Sequence, residues 1–582
     1  MSTDTPRTRQ RPATRGQRGV GGQWAAGDRT PLNQTEALKQ ADPGLNVRER
    51  VEKIFSREGF ASIPPDDLKE RLKWWGLYTQ RRQDKPATET GSPVEELMDE
   101  LFMLRVRIDG GLLNPDQLRA IAWASETYGR DLADVTDRQN IQLHWIRIED
   151  VPAIWEHLEA VGLTSAMACG DVPRGFLGCP VAGLDPTEVI DATAALEATK
   201  KRAVGNPEFG NLPRKYKTSI SGCAQQCAQH DINDVAFVGV RHPDTGEAGF
   251  DLWVGGGLGP NPHFAQRLGA FVREEQVPEV WEAVTTVFRE YGYRKSRKRA
   301  RLKFLVADWG PQRFREVMER EFLGYALPDG PPPPPSRDAR RDHVGVFEQV
   351  DGLRYVGVAP RAGRTAGSQL RAVADLAERY GSGRVRLTTQ QKIIITDIAP
   401  DDVDAVVDEL ARHDLLARTS PFRRGTMSCT GIQFCKLALA ETKGTADRLY
   451  RELERRLPEW DEDIAINVNG CPNSCARFQV GDIGLMGALL PREDGTRAEG
   501  FLVHLGGALG ADRRFGTKVR GVRVFAEDLA DYVETLLRRY LERRDGHRSF
   551  SEYVASLDED ALAEFAAPPR ADTTAPLALA AP

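Results

Sequence analysis

The residues from Gln117 to Leu163 and from Gln369 to Leu415 are two versions of one pattern, and this duplication restricts the fold more than any other feature of the chain. Each version reads as an apolar-periodic helix closed by Tyr-Gly, a Thr-x-x-Gln turn, an alternating β-rich strand and a second helix. The repetition runs on: Ser221–Gly259 and Asn469–Gly510 both carry Gly-Cys-x-x-x-Cys-Ala, then a short β-rich run that ends in a glycine cluster. A whole two-domain unit has therefore been copied. The fold class expected is α+β, with mixed sheets flanked by helices in each repeated unit. A duplicated molecule is pseudo-twofold with a central site between its halves, and its two copies are free to carry different chemistry.

Domain boundaries follow from the repeat. We expect a flexible N-terminal tail (1–44), an N-terminal extension (45–97), a ferredoxin-like half-domain (98–165) and a larger mixed domain (166–327). A proline-rich linker (328–343, PDGPPPPPSRDARRD) should be extended and semi-rigid. The second copy supplies a half-domain (344–416) and a larger domain (417–545), followed by a C-terminal tail (546–582). With a net charge of -6 and both signs mixed along the chain, nothing points to nucleic acid or an acidic membrane. No run of about eighteen apolar residues occurs, and the Arg- and Thr-rich start lacks the hydrophobic core of a secretory signal. A cytoplasmic location is expected.

Eight cysteines in 582 residues are too few for a disulfide scaffold and read better as ligands, catalytic groups or core residues. In the second copy, Cys429 and Cys435 have five residues between them, Cys471 and Cys475 have three, and thirty-five separate the pairs. Two close thiolate pairs suit a metal or a cluster. The five-residue gap fits a zinc knuckle poorly, yet spacing alone leaves cluster, zinc and ordinary structure open.

The stretches CTGIQFCK and NGCPNSCAR, however, resemble the cluster signature of the assimilatory siroheme nitrite and sulfite reductases, and the similarity extends from about Leu45 to Arg543. The resemblance implies a [4Fe-4S] cluster on Cys429, Cys435, Cys471 and Cys475, with Cys475 also the axial ligand of a siroheme iron. Cys179, Cys223 and Cys227 are the first-copy equivalents of Cys429, Cys471 and Cys475, with Asp185 at the fourth place. Three thiols without a clear fourth, outside the family pattern, read as relics of duplication or small core residues, so one cluster is expected.

Small oxyanions need cationic donors to hold their oxygens and deliver protons. By resemblance, the family's anion-binding positions are Arg105 in FMLRVR, Arg174 in CGDVPRG, and Lys215 and Lys217 in LPRKYK, all in the first copy. On a strand, Lys215 and Lys217 would share a face. Arg138, Gln142 and His144 in TDRQNIQLHW match a siroheme-contacting stretch, although a lone histidine is more often a satisfied core residue. The run RKSRKRARLK from Arg294 to Lys303 reads as a patch for siroheme carboxylates, a docking face for an acidic ferredoxin, or a solvated helix face. The runs Gly255–Gly259 and Gly506–Gly510 lack a following Lys-Ser/Thr and read as close backbone packing. Tyr78 and Cys169 stand where some relatives join a tyrosine and a cysteine by a thioether.

The resemblance implies six-electron reduction of sulfite to sulfide, with nitrite reduction to ammonia as the alternative. Plant-type nitrite reductases tend to carry Asn where this chain has Lys217, and the added charge suits doubly charged sulfite. No flavin or nicotinamide fingerprint is apparent, so electrons should arrive from a ferredoxin or, failing that, a flavoprotein subunit. The competing class is a zinc-stabilised, non-enzymatic binding protein. A monomer is the default.

Overall fold

The computed structural model describes residues 30–85, 94–336 and 339–569. It falls into two compact units. One takes in the chain to Gln83, Leu97–Thr419 and Leu509–Asp512, and the other takes in Asp84–Glu96, Ser420–Ala508 and the chain from Arg513.

The first unit holds both half-domains and the first larger domain. One half-domain sheet has strands Leu77–Arg81, Met98–Val106, Ile141–Ile146, Ala133–Val135 and Arg364–Thr365 in that spatial order. Its counterpart runs Gly345–Glu348, Arg354–Val358, Ile393–Ile398, Val385–Leu387 and Leu112–Leu113. Each sheet is completed by a two-residue strand from the other copy, so the repeats are interlocked by backbone pairing (Arg364 opposite Asp134, Arg386 opposite Leu112). The helices Pro115–Tyr128 and Gly367–Tyr380 pack on each other, because their apolar stripes (Leu118, Ile121, Ala122; Leu370, Val373, Ala374) enter one continuous core.

The two larger domains repeat one topology. In the first unit the order is Leu177–Gly178, Thr218–Ser221, Val235–Arg241, Ala248–Val254 and Gln266–Val272. In the second it is Thr426–Ser428, Ile466–Asn469, Ile483–Pro491, Arg497–Leu505 and Thr517–Phe525. Both begin with parallel pairings and end with antiparallel ones. The parallel strands are short and buried on both faces, although polar residues alternate with apolar ones in Thr218–Ser221 (TSIS) and Ile466–Asn469 (INVN).

Both tails are shorter than the composition suggested. Residues Gln34–Ala41 form a helix whose N-cap, Asn33, accepts from the Glu36 amide at 3.0 Å. Glu36 and Lys39 are buried on it: Lys39 Nζ meets Glu36 at 2.6 Å, Asp171 at 3.4 Å and the Leu212 carbonyl at 2.8 Å. Polar residues hid this helix because its partners are themselves buried charges. At the other end, helices Phe550–Ser556 and Glu559–Phe565 bury Phe550 and Phe565 against Tyr540 and Tyr553. The Ala/Pro-rich end past 569 lies outside the described residues. In the proline-rich segment, Gln226 Nε2 donates to the Pro334 carbonyl at 2.7 Å and Ser336 Oγ to that of Gln225 at 2.8 Å. The glycine runs also behave as expected, since a Cβ on Gly256 would stand 2.6 Å from the Asn233 carbonyl and one on Gly507 2.6 Å from that of Gln479.

Candidate active site

In the first unit, Pro173 and Tyr216 form a parallel bridge, fixed by Arg174 N to the Tyr216 carbonyl (2.9 Å) and Tyr216 N to that of Val172 (3.1 Å). Tyr216 is fully buried, stacked on Phe288 and set edge-on to Trp281. Alternation along two extended segments turns their other residues the opposite way, so Arg174, Lys215 and Lys217 share one half-buried face. The apolar anchor between two lysines in KYK is the local cause.

Two more arginines come toward that face. Arg105 lies opposite Gln142 in the strand register, and its Nη2 donates to Gln142 Oε1 at 3.2 Å. Arg138 is buried and donates to Asn233 Oδ1 at 3.2 Å and to the Gly175 carbonyl at 2.5 Å. Burial pushes the Arg138 pKa down to about 10, with the charges of Arg174 and Arg105 pushing the same way and Asp137 opposing them. Buried Nε atoms of Arg105 and Arg138 have no hydrogen-bond partner. Crowded guanidiniums with unspent buried donors are a donor set for an anion.

Tyr78 and Cys169 are both buried, and Cys169 and Arg174 lie within electrostatic reach of the Tyr78 hydroxyl. Burial, then the Cys169 thiol, pushes the phenol pKa well up, while Arg174 and Arg105 pull it down. Gly170, at φ +90°, lies under Trp74, where a Cβ would stand 2.9 Å from the indole, and its carbonyl accepts from Arg174 Nη2 at 3.0 Å.

Two supporting residues escaped the sequence reading. Arg107 and Asp109 form a fully buried ion pair (Nε to Oδ2, 2.9 Å). Arg107 Nη1 also holds the Pro173 carbonyl at 2.9 Å, and Asp109 Oδ1 accepts from Phe176 N at 2.7 Å. This clamp fixes both flanks of Arg174. His144 is buried, with Nε2 3.0 Å from Asp134 Oδ2, while Arg364 holds the other Asp134 oxygen at 3.1 Å. The basic run is not one surface patch. Arg294 turns inward to Glu36, Arg297 to Asp171, Arg301 to Asp234 and Lys303 to carbonyls of the Gly257 loop. Lys295, Lys298 and Arg299 remain exposed.

In the second unit, Cys429 follows strand Thr426–Ser428, and Cys471 and Cys475 follow Ile466–Asn469. The Gly470 amide donates to Cys429 Sγ at 3.2 Å, which favours a thiolate there. Burial, followed by the charge of Cys475, pushes the Cys429 pKa up to about 12 and that of Cys471 higher still. Cys435 also rises, chiefly by burial and partly through Cys475. Three thiols whose ionisation is discouraged, beside the exposed Cys475, form a donor set that a multiply charged cation or cluster would relieve. The first-copy thiols are closer: Cys179, Cys223 and Cys227 all lie within 4.8 Å of one another.

This arrangement is not isolated. Residues 169–324 and 420–565 match the family described as "Nitrite and sulphite reductase 4Fe-4S domain". Residues 96–161 and 347–413 match "Nitrite/Sulfite reductase ferredoxin-like half domain". The chain belongs to the nitrite and sulfite reductase family. It is 50% identical to "Sulfite reductase [ferredoxin] 1" of Mycolicibacterium paratuberculosis over 93% of this chain and 98% of that protein. It is 38% identical to the "Ferredoxin--nitrite reductase" of Synechococcus elongatus over 87% of this chain and 96% of that one. The solved structure titled "Structure of Mycobacterium tuberculosis NirA protein" superposes with a TM-score of 0.90 at 50% identity, covering 93% of this chain and 99% of that one. This reductase is an oxidoreductase, and the family's cofactors are siroheme and a [4Fe-4S] cluster. The unspent arginine donors fit a carboxylate-rich haem, and the four second-copy thiols fit the cluster. Among the described residues, no helix is long and apolar enough to cross a membrane.

Proposed function

We propose that this reductase carries out the six-electron reduction of sulfite to sulfide with a ferredoxin as donor. The observation that carries the reading is the cationic face: Arg174, Lys215 and Lys217 on one side of the Tyr216 pairing, with Arg105 and Arg138 crowding Arg174. Cys429, Cys435, Cys471 and Cys475 would hold the cluster, with Cys475 also ligating the siroheme iron; Arg138 and Gln142 would meet the haem's carboxylates. When bound, these groups supply the electrons and the iron that takes the substrate.

The chain's own residues do the rest. Arg105 and Arg174 bind and orient the oxyanion through fixed guanidinium forks. Lys215 and Lys217 carry transferable protons, which each departing oxygen needs to leave as water. His144, tied to Asp134, keeps the two strands in register and acts as a positioning residue. Tyr78 and Cys169 influence each other's charge, which supports a thioether between them beside this face. Ferredoxin is the proposed donor because it stands in the relatives' names; the chain is proposed to work as a cytoplasmic monomer.

Nitrite is the second reading, favoured by the 38% identity to a named nitrite reductase. The test is turnover of anaerobically purified holoenzyme with reduced ferredoxin, sulfite and nitrite in parallel. A higher kcat/KM for sulfite is expected, and a higher value for nitrite overturns the assignment.

A further inference from the structure

The three cysteines of the first copy do more than fill space. Cys179 Sγ stands 3.7 Å from Cys227 Sγ, and Cys227 Sγ stands 3.7 Å from Cys223 Sγ. All three are at most 2% exposed. Among the described residues they are the one group of three or more His, Cys, Asp or Glu side chains whose ligand atoms gather within 4.8 Å. Thiolates bound tetrahedrally to one zinc at about 2.3 Å stand about 3.8 Å apart, which is the spacing seen here. Thiolates that cap separate irons of a cubane stand farther apart, and the four second-copy cysteines contribute no such close group.

The fourth corner distinguishes the two copies further. Asp185 replaces the fourth thiol, but its oxygens are taken: Oδ1 accepts from the Thr187 amide (2.9 Å) and hydroxyl (2.7 Å), and Oδ2 meets Arg341 at 3.3 Å. A four-thiolate cluster is therefore not rebuilt here. His343 is fully buried, with φ +63° in the left-handed region, and lies within electrostatic reach of Cys223. Its Nδ1 pairs with the Tyr355 hydroxyl at 3.2 Å, Tyr355 packs among the three cysteines, and its Nε2 has no hydrogen-bond partner. Neither ring nitrogen of His343 joins the 4.8 Å group of the three sulfurs, so this histidine packs beside the site through Tyr355. The Gln225 amide, 3.3 Å from Cys223 Sγ, adds an N–H donor to a thiolate.

We propose that Cys179, Cys223 and Cys227 bind a single zinc ion through their three thiolates. The ion would tie the ends of strands Leu177–Gly178 and Thr218–Ser221 together and fix the turn that carries Cys227. Its role is structural, and the site is independent of the cluster and of the sulfite assignment.

The test is metal analysis of anaerobically purified holoenzyme dialysed against a chelator, joined to zinc K-edge absorption. We expect about one zinc per chain beside the iron, with three sulfur neighbours at about 2.3 Å. The Cys179→Ser/Cys223→Ser/Cys227→Ser variant should lose the zinc and keep the siroheme bands and the iron. The absorption measurement on unaltered protein stands even if that variant fails to fold. Absence of zinc, iron on these thiolates, or a disulfide between any two of them overturns the proposal. A colourless protein that still carries this zinc would sink the reductase reading and leave the site intact.

Discussion

Replacing Asp109 by alanine strips the counter-charge from an arginine with no route to water. Arg107 is 0% and Asp109 2% exposed in the side chain, and their oxygen and nitrogen atoms meet at 2.9 Å. Removing one partner of such a pair costs about 3–5 kcal/mol, because the other charge stays buried and uncompensated. For a unit of this size, that corresponds to a fall in Tm of about 5 °C. The double variant Arg107→Met/Asp109→Leu should be milder. It loses the bonds to the Met167 and Pro173 carbonyls and to the Phe176 amide, at about 1 kcal/mol each, but leaves no orphaned charge. The assay is thermal unfolding of holoenzymes matched for siroheme content, with sulfite kinetics below the transition. Because the clamp flanks Arg174, KM for sulfite should rise more than kcat falls. The reasoning is refuted if Asp109→Ala melts within about 1 kcal/mol of the parent, or if the double variant melts below the single one.

Four further outcomes follow from the same geometry. Lys217→Asn should lower kcat/KM for sulfite about tenfold relative to nitrite, since the dianion loses more than the monoanion when a cation leaves; parallel turnover measures the ratio. Cys435→Ala should abolish the cluster, so that iron falls from about five per chain toward one or none, read by metal analysis and electron paramagnetic resonance. If Tyr78 and Cys169 are joined, intact-chain mass should fall by two hydrogen atoms, and Tyr78→Phe should restore it. Burial would raise the Asp171 carboxyl, but Lys39, Arg297 and Arg214 outweigh it and hold the group well below the ordinary carboxylate range. A depressed carboxyl contributes stability that is complete above its unfolded pKa of about 4 and is lost as pH falls below it. Asp171→Asn should therefore flatten the acid limb of the stability curve and cost most near neutrality, as pH-dependent melting will show.

The duplication was legible because it is a pattern over hundreds of residues, and the four-sheet architecture with its repeated strand order follows it. The cysteine motifs and KYK were legible because chemistry there demands particular residue types at fixed spacing. The exchanged strands Leu112–Leu113 and Arg364–Thr365 left no such trace: two residues carry no periodicity, and their pairing is decided by the neighbouring copy. The helix Gln34–Ala41 was missed for the opposite reason. Its composition is polar, and only the fold reveals that Glu36 and Lys39 meet buried partners.

The same limit explains the basic run and the first-copy cysteines. Arg294, Arg297 and Arg301 look like a cationic patch in one dimension, yet each is spent on its own buried acid, Glu36, Asp171 or Asp234. Cys179 lies more than forty residues from Cys223, and nothing in that interval announces that their sulfurs meet. Duplication makes this possible. Once the second copy keeps a complete set of four thiols, the first is free to lose its fourth. The remaining three then close from the spread of a cluster to that of a single ion. If zinc is found on them, the two copies will have divided one ancestral ligand set between electron transfer and structural support.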